Sequence, residues 1–597
     1  MPYHRHGLSN AGTMSTPDLP VTPLAAPPGP PPATPAAQAP QANAADAPPY
    51  DLRHGLGCAG VSLLVGLTQG LGVFLVNNNL TGIQGPLGAT AAEASWLTTA
   101  YFATALSAAV LLTKMRLQFG LRRFAEWGIV VYLLISVVHL VAQDLSSAIA
   151  ARAALGFAAS PLTTLAILYM LEAVPKRLAP VGLLLGFATL QFGAPLSRIL
   201  SESLLQNASW QGLQLLDVAL ACACLAAIVS VRLTPPPLMK VLNRGDAVSF
   251  LFYATGLALL CVVCTQGRVN WWTDTAWLGV CLAGGIGCLG LYVLVELRRA
   301  HPLLDLRWLC SPYMLRLTFA VLLFRIVLSE QPVGAITLMN TLGFTNDQMH
   351  PLFGWVAFGT AVGFLLSLLV LPTRSFRLPG LIALVLIFSA ALLDGDSTSL
   401  TRPNDLYFSQ TLLAIGTAMF LSSSLLLGFI PVIMDGMKNI VSFLAVFSAS
   451  QQLGSLIGSA WLATFLADRQ KLHYAQLLEP LVLADPQAAA RVAQGAAAYA
   501  GVVGDPAQRA ALGVASLAQQ ATRESFVLAY NDLFQLVALL SAGTFVWLAY
   551  LAVRNHLRTT AAAKAVTDAA VRADADAVSR VASTPSIPSS TPSTAAT

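Results

Sequence analysis

Apolar runs of about twenty residues, parted by short polar turns, recur along this chain. At ~1.5 Å rise per residue, a helix of that length crosses the ~30 Å hydrocarbon core of a bilayer. Six runs come first, at 56–79, 94–112, 125–141, 146–173, 178–205 and 213–231, then two at 247–265 and 276–295. Six more follow, at 317–342, 352–371, 378–393, 406–434, 440–467 and 526–553. The pattern predicts an all-α polytopic membrane protein of about fourteen spans. The domains expected from it are a six-helix bundle at 51–232, two linking helices at 233–312 and a second six-helix bundle at 313–555. Within the second bundle, 468–524 is a long Ala-rich insertion that reads as one or two helices on the outer side.

Composition supports a membrane class, since 56% of residues are apolar and 10% charged, against roughly 25% charged in soluble domains. The flanks differ. Residues 1–50 are rich in Pro and Ala, and 556–597 in Ala, Ser, Thr and Pro, which reads as two disordered cytoplasmic tails. Residues 1–51 contain no apolar core of the kind a cleavable signal needs. The net charge of +5 is sorted by side, which speaks for topology and against nucleic acid as a partner. Loops after even-numbered runs carry Lys114, Arg116, Lys176, Arg177, Arg298 and Arg299 among others, whereas the opposite short loops carry Arg268 and Arg402. By the positive-inside rule both termini are cytoplasmic in a multi-pass cell-membrane protein.

The polar residues inside the runs are the candidate chemistry, because ionisable groups at bilayer depth normally face a bundle interior or a watery cavity. The stretch 146–205 holds Arg152, Gln191, Pro195, Arg198 and Glu202. Arg198 and Glu202 are four apart, so they share a helix face and can pair. A second charged centre, Arg325 and Glu330, precedes Gln331-Pro332, where the missing amide hydrogen predicts a kink. These five ionisable residues, Arg152, Arg198, Glu202, Arg325 and Glu330, are candidates for a proton or charge relay; the competing reading is helix-locking structure. Asn77, Asn78, Gln191, Gln331, Asn340, Gln451 and Gln452 are candidates for a substrate cavity. Gly454 and Gly458 match the small-xxx-small pattern of close helix contact.

Other motifs carry less. Cys222/Cys224 and Cys261/Cys264 have metal-like spacings but no second ligand pair nearby, so no metal or other cofactor is expected. No GxxxxGK[ST] phosphate loop occurs. His139 and Asp144 are five apart, which does not share a helix face, and no clustered nucleophile and base is found, so an enzyme is not expected.

In order and spacing, several motifs resemble the fourteen-helix drug:proton antiporter branch of the major facilitator superfamily. Arg152-Ala-Ala-Leu-Gly156 running to Ser160-Pro161-Leu162 is similar to its fourth-helix arginine motif, and Trp210 with Asp217 to the stretch opening its sixth helix. Gly245-Asp246 through Gly256 to Trp271-Trp272 resembles its extra central helices, and Glu296 with Pro302-Leu303-Leu304-Asp305-Leu306 the linker after them. Gln452-Leu453-Gly454 with Gly458, then Arg469 and His473, matches a later motif. The turn after the second run keeps Gly120, Arg122 and Arg123 of the family's conformational motif, to which Gly156 and Pro195 also belong, but has Leu117 where the family has an acid. The family's first-helix acid would fall at Val73, and its fifth-helix GPxxGG is degraded around Ala194-Pro195.

The resemblance implies export of small amphipathic, drug-like compounds by proton antiport, with protons, substrate and the lipid bilayer as partners. In two-membrane bacteria such exporters often hand substrate to a periplasmic adaptor and an outer-membrane channel, which implies an inner-membrane location and makes 468–524 the docking candidate. The departures leave importer or proton-independent carrier as the alternative, and a membrane-embedded enzyme or sensor behind that. Because 1–50 lacks the apolar content to form a core, deleting residues 1–45 is expected to leave transport per molecule unchanged, as measured in vesicles after normalising for expression.

Overall fold

The computed structural model of the chain describes residues 51–208, 210–233, 243–299, 302–371, 377–434, 440–479 and 485–582. The tail expected at 1–50 and the end of the second tail, 583–597, lie outside the described residues. Among the described residues all regular structure is helical. The first group comprises α1 (Leu52–Asn77), α2 (Leu80–Gln84), α3 (Ala91–Phe119), α4 (Leu121–Val141), α5 (Leu145–Ala173), α6 (Ala179–Gln191), α7 (Gly193–Ala208) and α8 (Gln211–Ser230). Next come α9 (Arg244–Gln266), α10 (Ala276–Leu297) and the short α11 (Leu306–Leu309). The last group is α12 (Pro312–Leu328), α13 (Ile336–Thr341), α14 (His350–Val370), α15 (Leu378–Asp394), α16 (Tyr407–Met434), α17 (Ile440–Leu478), α18 (Pro486–Ala497) and α19 (Pro506–Ala582).

Among the described residues, 12 helical stretches are long and apolar enough to cross a bilayer, with α6–α7 and α12–α13 each counting as one. Fourteen runs are expected from the sequence. The two outside the twelve are also helical: α15 is apolar but 17 residues long, and α17 runs from Ile440 to Leu478.

Helix starts follow local capping chemistry. Asp51 caps α1, Thr90 and Glu93 form a capping box on α3, and Asp144 accepts from the Ser147 amide at the head of α5. The Ser146 and Ser147 hydroxyls and the Ser147 N–H hold the Asp144 carboxyl below the usual carboxylate range, so it caps as an anion. Asp144 is thereby a cap and His139, stacked edge-on against Trp210, a packing residue. Gly120 sits at φ +86° between α3 and α4, a conformation that favours glycine. Pro332 makes the expected break: the Ile336 N–H reaches back five residues to the Gln331 carbonyl, a π turn over Gln331–Ala335.

Neighbouring lipid tails are as apolar as leucine, so helices here associate through close packing and polar contacts instead of the hydrophobic effect. In the first group α5 packs on α1, α3 and α4; in the last, α16 packs on α14 and α15, and α17 on α12 and α19. The groups meet where α7 touches α14 and α3 touches α17, and α9 lies against both α3 and α17. The head of α9 is tied down by charge. Asp246 Oδ1 takes Lys114 Nζ at 2.8 Å and Arg299 Nη2 at 2.6 Å, and Arg299 also reaches Glu296 at 3.4 Å. An acid from α9 thus meets the basic end of α3, whose own sequence has Leu117 there.

The insertion at 468–524 forms three pieces: α17 runs on to Leu478, α18 stands apart, and α19 begins at Pro506. α18 packs on α19 through Gly495 and Gly513. The tail expected to be disordered from 556 is helical to Ala582, an extension of α19 through an Ala-rich stretch of good helix formers. A methyl group on Gly458 would lie 2.7 Å from the Ile326 Cα and 3.1 Å from the Arg325 carbonyl, so α12 and α17 touch backbone to backbone there. Gly458→Val is therefore expected to force the helices apart at a cost of about 1–3 kcal/mol and lower the melting temperature in detergent. Gly60→Ala, where nothing lies within 4 Å, is the control expected to leave it unchanged.

Candidate functional site: a cavity between helix groups and three buried polar centres

The first centre lies inside the first helix group. Arg152, on α5, is 1% exposed. It donates from Nη1 to the Gly72 carbonyl at 3.0 Å and from Nη2 to Asn77 Oδ1 at 3.4 Å, and its guanidinium carbon sits 4.4 Å from the centre of the Tyr101 ring. Gly156 makes this possible: a Cβ there would lie 2.3 Å from the Tyr101 carbonyl, so only glycine lets α5 close on α3. Asp217 of α8 accepts from the Tyr132 hydroxyl at 2.6 Å and from the Ser136 hydroxyl at 2.8 Å, and its charge acts on Arg152. One guanidinium and one carboxylate of opposite charge thus lie in the same buried cluster, with Tyr101, Tyr132 and Ser136, while Arg152 Nε and the Tyr101 hydroxyl have no hydrogen-bond partner.

The second feature is a cavity of about 170 Å³ between the groups, lined on one side by Phe74, Asn78, Gln191, Pro195 and Arg198, and on the other by Arg325, Gln331 and Phe353. Phe74, Asn78, Pro332 and Ser455 also line a wider opening of about 520 Å³ that reaches Arg268, in the loop between α9 and α10. Arg198 donates to Asn78 Oδ1 at 3.2 Å and to Asn346 Oδ1 at 3.4 Å, with its guanidinium carbon 5.4 Å from the Phe353 ring centre. These partners, and not Glu202, take the guanidinium; Glu202 is half-buried further along α7. Arg325 donates from Nε to the backbone carbonyl of Gln451 at 3.1 Å. Both arginines therefore bond neutral groups while lining the same space.

The third centre joins α12, α15 and α16. Gln410 donates to Glu330 Oε1 at 3.3 Å and to Asp394 Oδ2 at 2.8 Å, and accepts from Gln331 at 3.2 Å. Gln331 thus bridges this centre to the cavity.

Of the residues singled out in the sequence, Asn77, Asn78, Gln191, Gln331, Arg198, Arg325 and Pro195 line one or the other of the two spaces. Asn340 is exposed at the end of α13 and lines neither. Gln452 lines a different space beside Arg116, and Gln451 contributes its backbone carbonyl. Arg122 is exposed and pairs with Glu126, and Arg123 lies at the surface. Asp217, Asp394 and Gln410 are additions. Asp217 is visible in sequence as an acid inside a run, whereas Asp394 falls one residue beyond the run 378–393 and reads as loop.

The sequence profile of the Major Facilitator Superfamily matches residues 62–459. The chain is 22% identical over 448 residues to the uncharacterized MFS-type transporter YhcA of Bacillus subtilis, covering 71% of this chain and 80% of that protein. It is 28% identical over 278 residues to the cephamycin export protein CmcT of Amycolatopsis lactamdurans, covering 45% of this chain and 56% of that protein. Among solved structures, tetrameric PepTSo2 superposes at a TM-score of 0.50 and 13% identity, covering 85% of this chain and 99% of the other, a likeness of fold.

Removing one partner of a buried charge pair typically costs about 3–5 kcal/mol, whereas replacing both by apolar groups is often neutral. Asp217→Leu alone is therefore expected to destabilise the protein strongly, and the double variant Arg152→Met/Asp217→Leu less than the sum of the single changes. A double-mutant cycle on thermal unfolding checks this; additive effects would mean the two charges are independent.

Proposed function

The chain belongs to the major facilitator superfamily, and from that footing we propose that this transporter exports small amphipathic anions from the cytoplasm in exchange for protons. The observation that carries the substrate class is the pair Arg198 and Arg325. Two half-buried guanidinium groups line one cavity from opposite helix groups, and the partners they hold are amides and a carbonyl. A guanidinium is always charged and presents a planar fork that fits a carboxylate or phosphate. An anion bound between them would supply the missing countercharge, while Phe74 and Phe353 offer apolar faces to the rest of the molecule.

Export as the direction is supported by the relative whose name is cephamycin export protein. The architecture we propose is fourteen spans, with six-helix bundles at 51–232 and 313–555 and linking helices at 233–312, α15 and α17 completing the count. Both termini then lie in the cytoplasm, and the chain sits in a bacterial inner membrane. On that orientation the wide opening beside Arg268 faces outward, and 468–524, built from the end of α17, α18 and the start of α19, is the surface for a periplasmic adaptor leading to an outer-membrane channel. Arg152, Glu202 and Glu330 remain candidates for the charge relay, since the family acid is replaced by Val73.

The test is transport in inverted vesicles under an imposed proton gradient, with matched amphipathic acids, neutral compounds and cations. Acids are expected to be carried preferentially. Arg198→Gln and Arg325→Gln should each raise the apparent KM for an acid about 10-fold or more, the worth of one charge-assisted contact of about 1.5–3 kcal/mol. Equal transport of cations by wild type, or unchanged KM in both variants, rejects the anion reading.

A further inference from the structure

Glu330 stands at the junction of α12 with the π turn, and Asp394 at the end of α15. They are 0% and 1% exposed. Each receives one hydrogen bond from the same amide, Gln410 Nε2, at 3.3 and 2.8 Å, which uses both of that nitrogen's hydrogens. Glu330 Oε2 is enclosed without a partner. Among the described residues neither carboxyl has an ion-pair partner.

The cationic side chains on the surrounding elements are engaged elsewhere. Arg325, on the same helix, is turned to the Gln451 carbonyl of α17. Arg469 and His473 of α17 both go to Asp532 of α19. Tyr530 of α19 bonds Thr341, and Asn531 donates to the Ser397 carbonyl while its own Oδ1 is enclosed and unpartnered. Ser409 of α16 donates to the Leu406 carbonyl and its hydroxyl also stands within reach of the Asp394 carboxyl, a neutral neighbour like Gln410, while Thr360 of α14 donates to the Val356 carbonyl. The charged group acting on Glu330 is Asp394, of the same sign.

A neutral amide satisfies lone pairs but cancels no charge. Two bare carboxylates sharing it in a medium of low dielectric would each bear a desolvation cost of several kcal/mol, with mutual repulsion on top. We propose that Glu330, Asp394 and Gln410 form the binding site of one monovalent cation, a proton or a sodium ion, held at the open Oε2 side of Glu330. The proposal rests on the antiport reading in that this cation is the driving ion. Gln331 connects the two events spatially, since it bonds Gln410 and also lines the substrate cavity. A change in the cavity that moves Gln331 reaches the amide holding both acids.

The site can be read without any substrate. Full-length protein in lipid nanodiscs is titrated in sodium-free choline buffer and followed by infrared difference spectroscopy. A proton site gives a carbonyl stretch of protonated carboxylic acid that disappears on raising the pH, is lost in Glu330→Gln or Asp394→Asn, and shifts in Glu330→Asp. A sodium site shows as a rise in melting temperature when NaCl replaces choline chloride at alkaline pH, in wild type and not in Glu330→Gln. If wild type shows neither signal, or if the signal survives unaltered in Glu330→Gln and Glu330→Asp alike, the proposal is overturned; should Glu330→Gln fail to fold, the Glu330→Asp shift decides. Neither readout involves transport, so a carrier of anions lacking this site and a cation site in a protein that carries no anions give different results.

Discussion

A charge placed in an apolar interior must find its opposite there, and the polar architecture of this transporter sorts by how fully that demand is met. Around Arg152 it is met most fully: a carbonyl, an amide and an aromatic face touch the guanidinium, and the charge of Asp217 acts on it from beyond contact distance. At Arg198 and Arg325 it is met by dipoles alone. At Glu330 and Asp394 the neighbours share one amide. The better compensated a group is, the more a movement costs it. The two arginines held only by dipoles are the ones at the seam between the helix groups.

The helices that carry those groups are the broken ones. The fifth span divides into α6 and α7 beside Phe192, and the span of Arg325 and Glu330 passes through a π turn at Pro332. Breaks free backbone groups and are tolerated in a bilayer where neighbours or a cavity satisfy them. Between these breaks, unbroken α3 and α17 run past each other and hold the groups in contact.

Much of this was legible from residue order. Twenty-residue apolar runs located every long helix, because a lone segment in lipid has no other way to satisfy its backbone. Pro332 announced the break in its helix, and Gly454 with Gly458 announced the contact of α17 with α12. Pairing partners were less legible. Four-residue spacing brought Arg198 and Glu202 together on paper, but spacing knows one helix only, and Asn78, just past α1, and Asn346, in the turn before α14, come from elsewhere in the chain. Asp394 escaped notice because a terminus in sequence became an interior in space, where α16 and α19 cover it. The stretch after 556 read as disorder on composition, although alanine favours helix wherever a helix already leads into it.

The loop after α9 sets a limit on how wide the molecule can gape. At the end of α9, Gln266 is fastened to α3 through Ser95 and Thr99. Six residues on, Trp272 is fastened to Thr464 of α17, and Lys471 of the same helix covers Trp271 at 3.8 Å. Six residues at full stretch reach about 20 Å. The loop is therefore a leash between the two rods at the mouth beside Arg268. While both of its knots hold, the aperture there has a fixed ceiling, a limit of girth that is independent of charge.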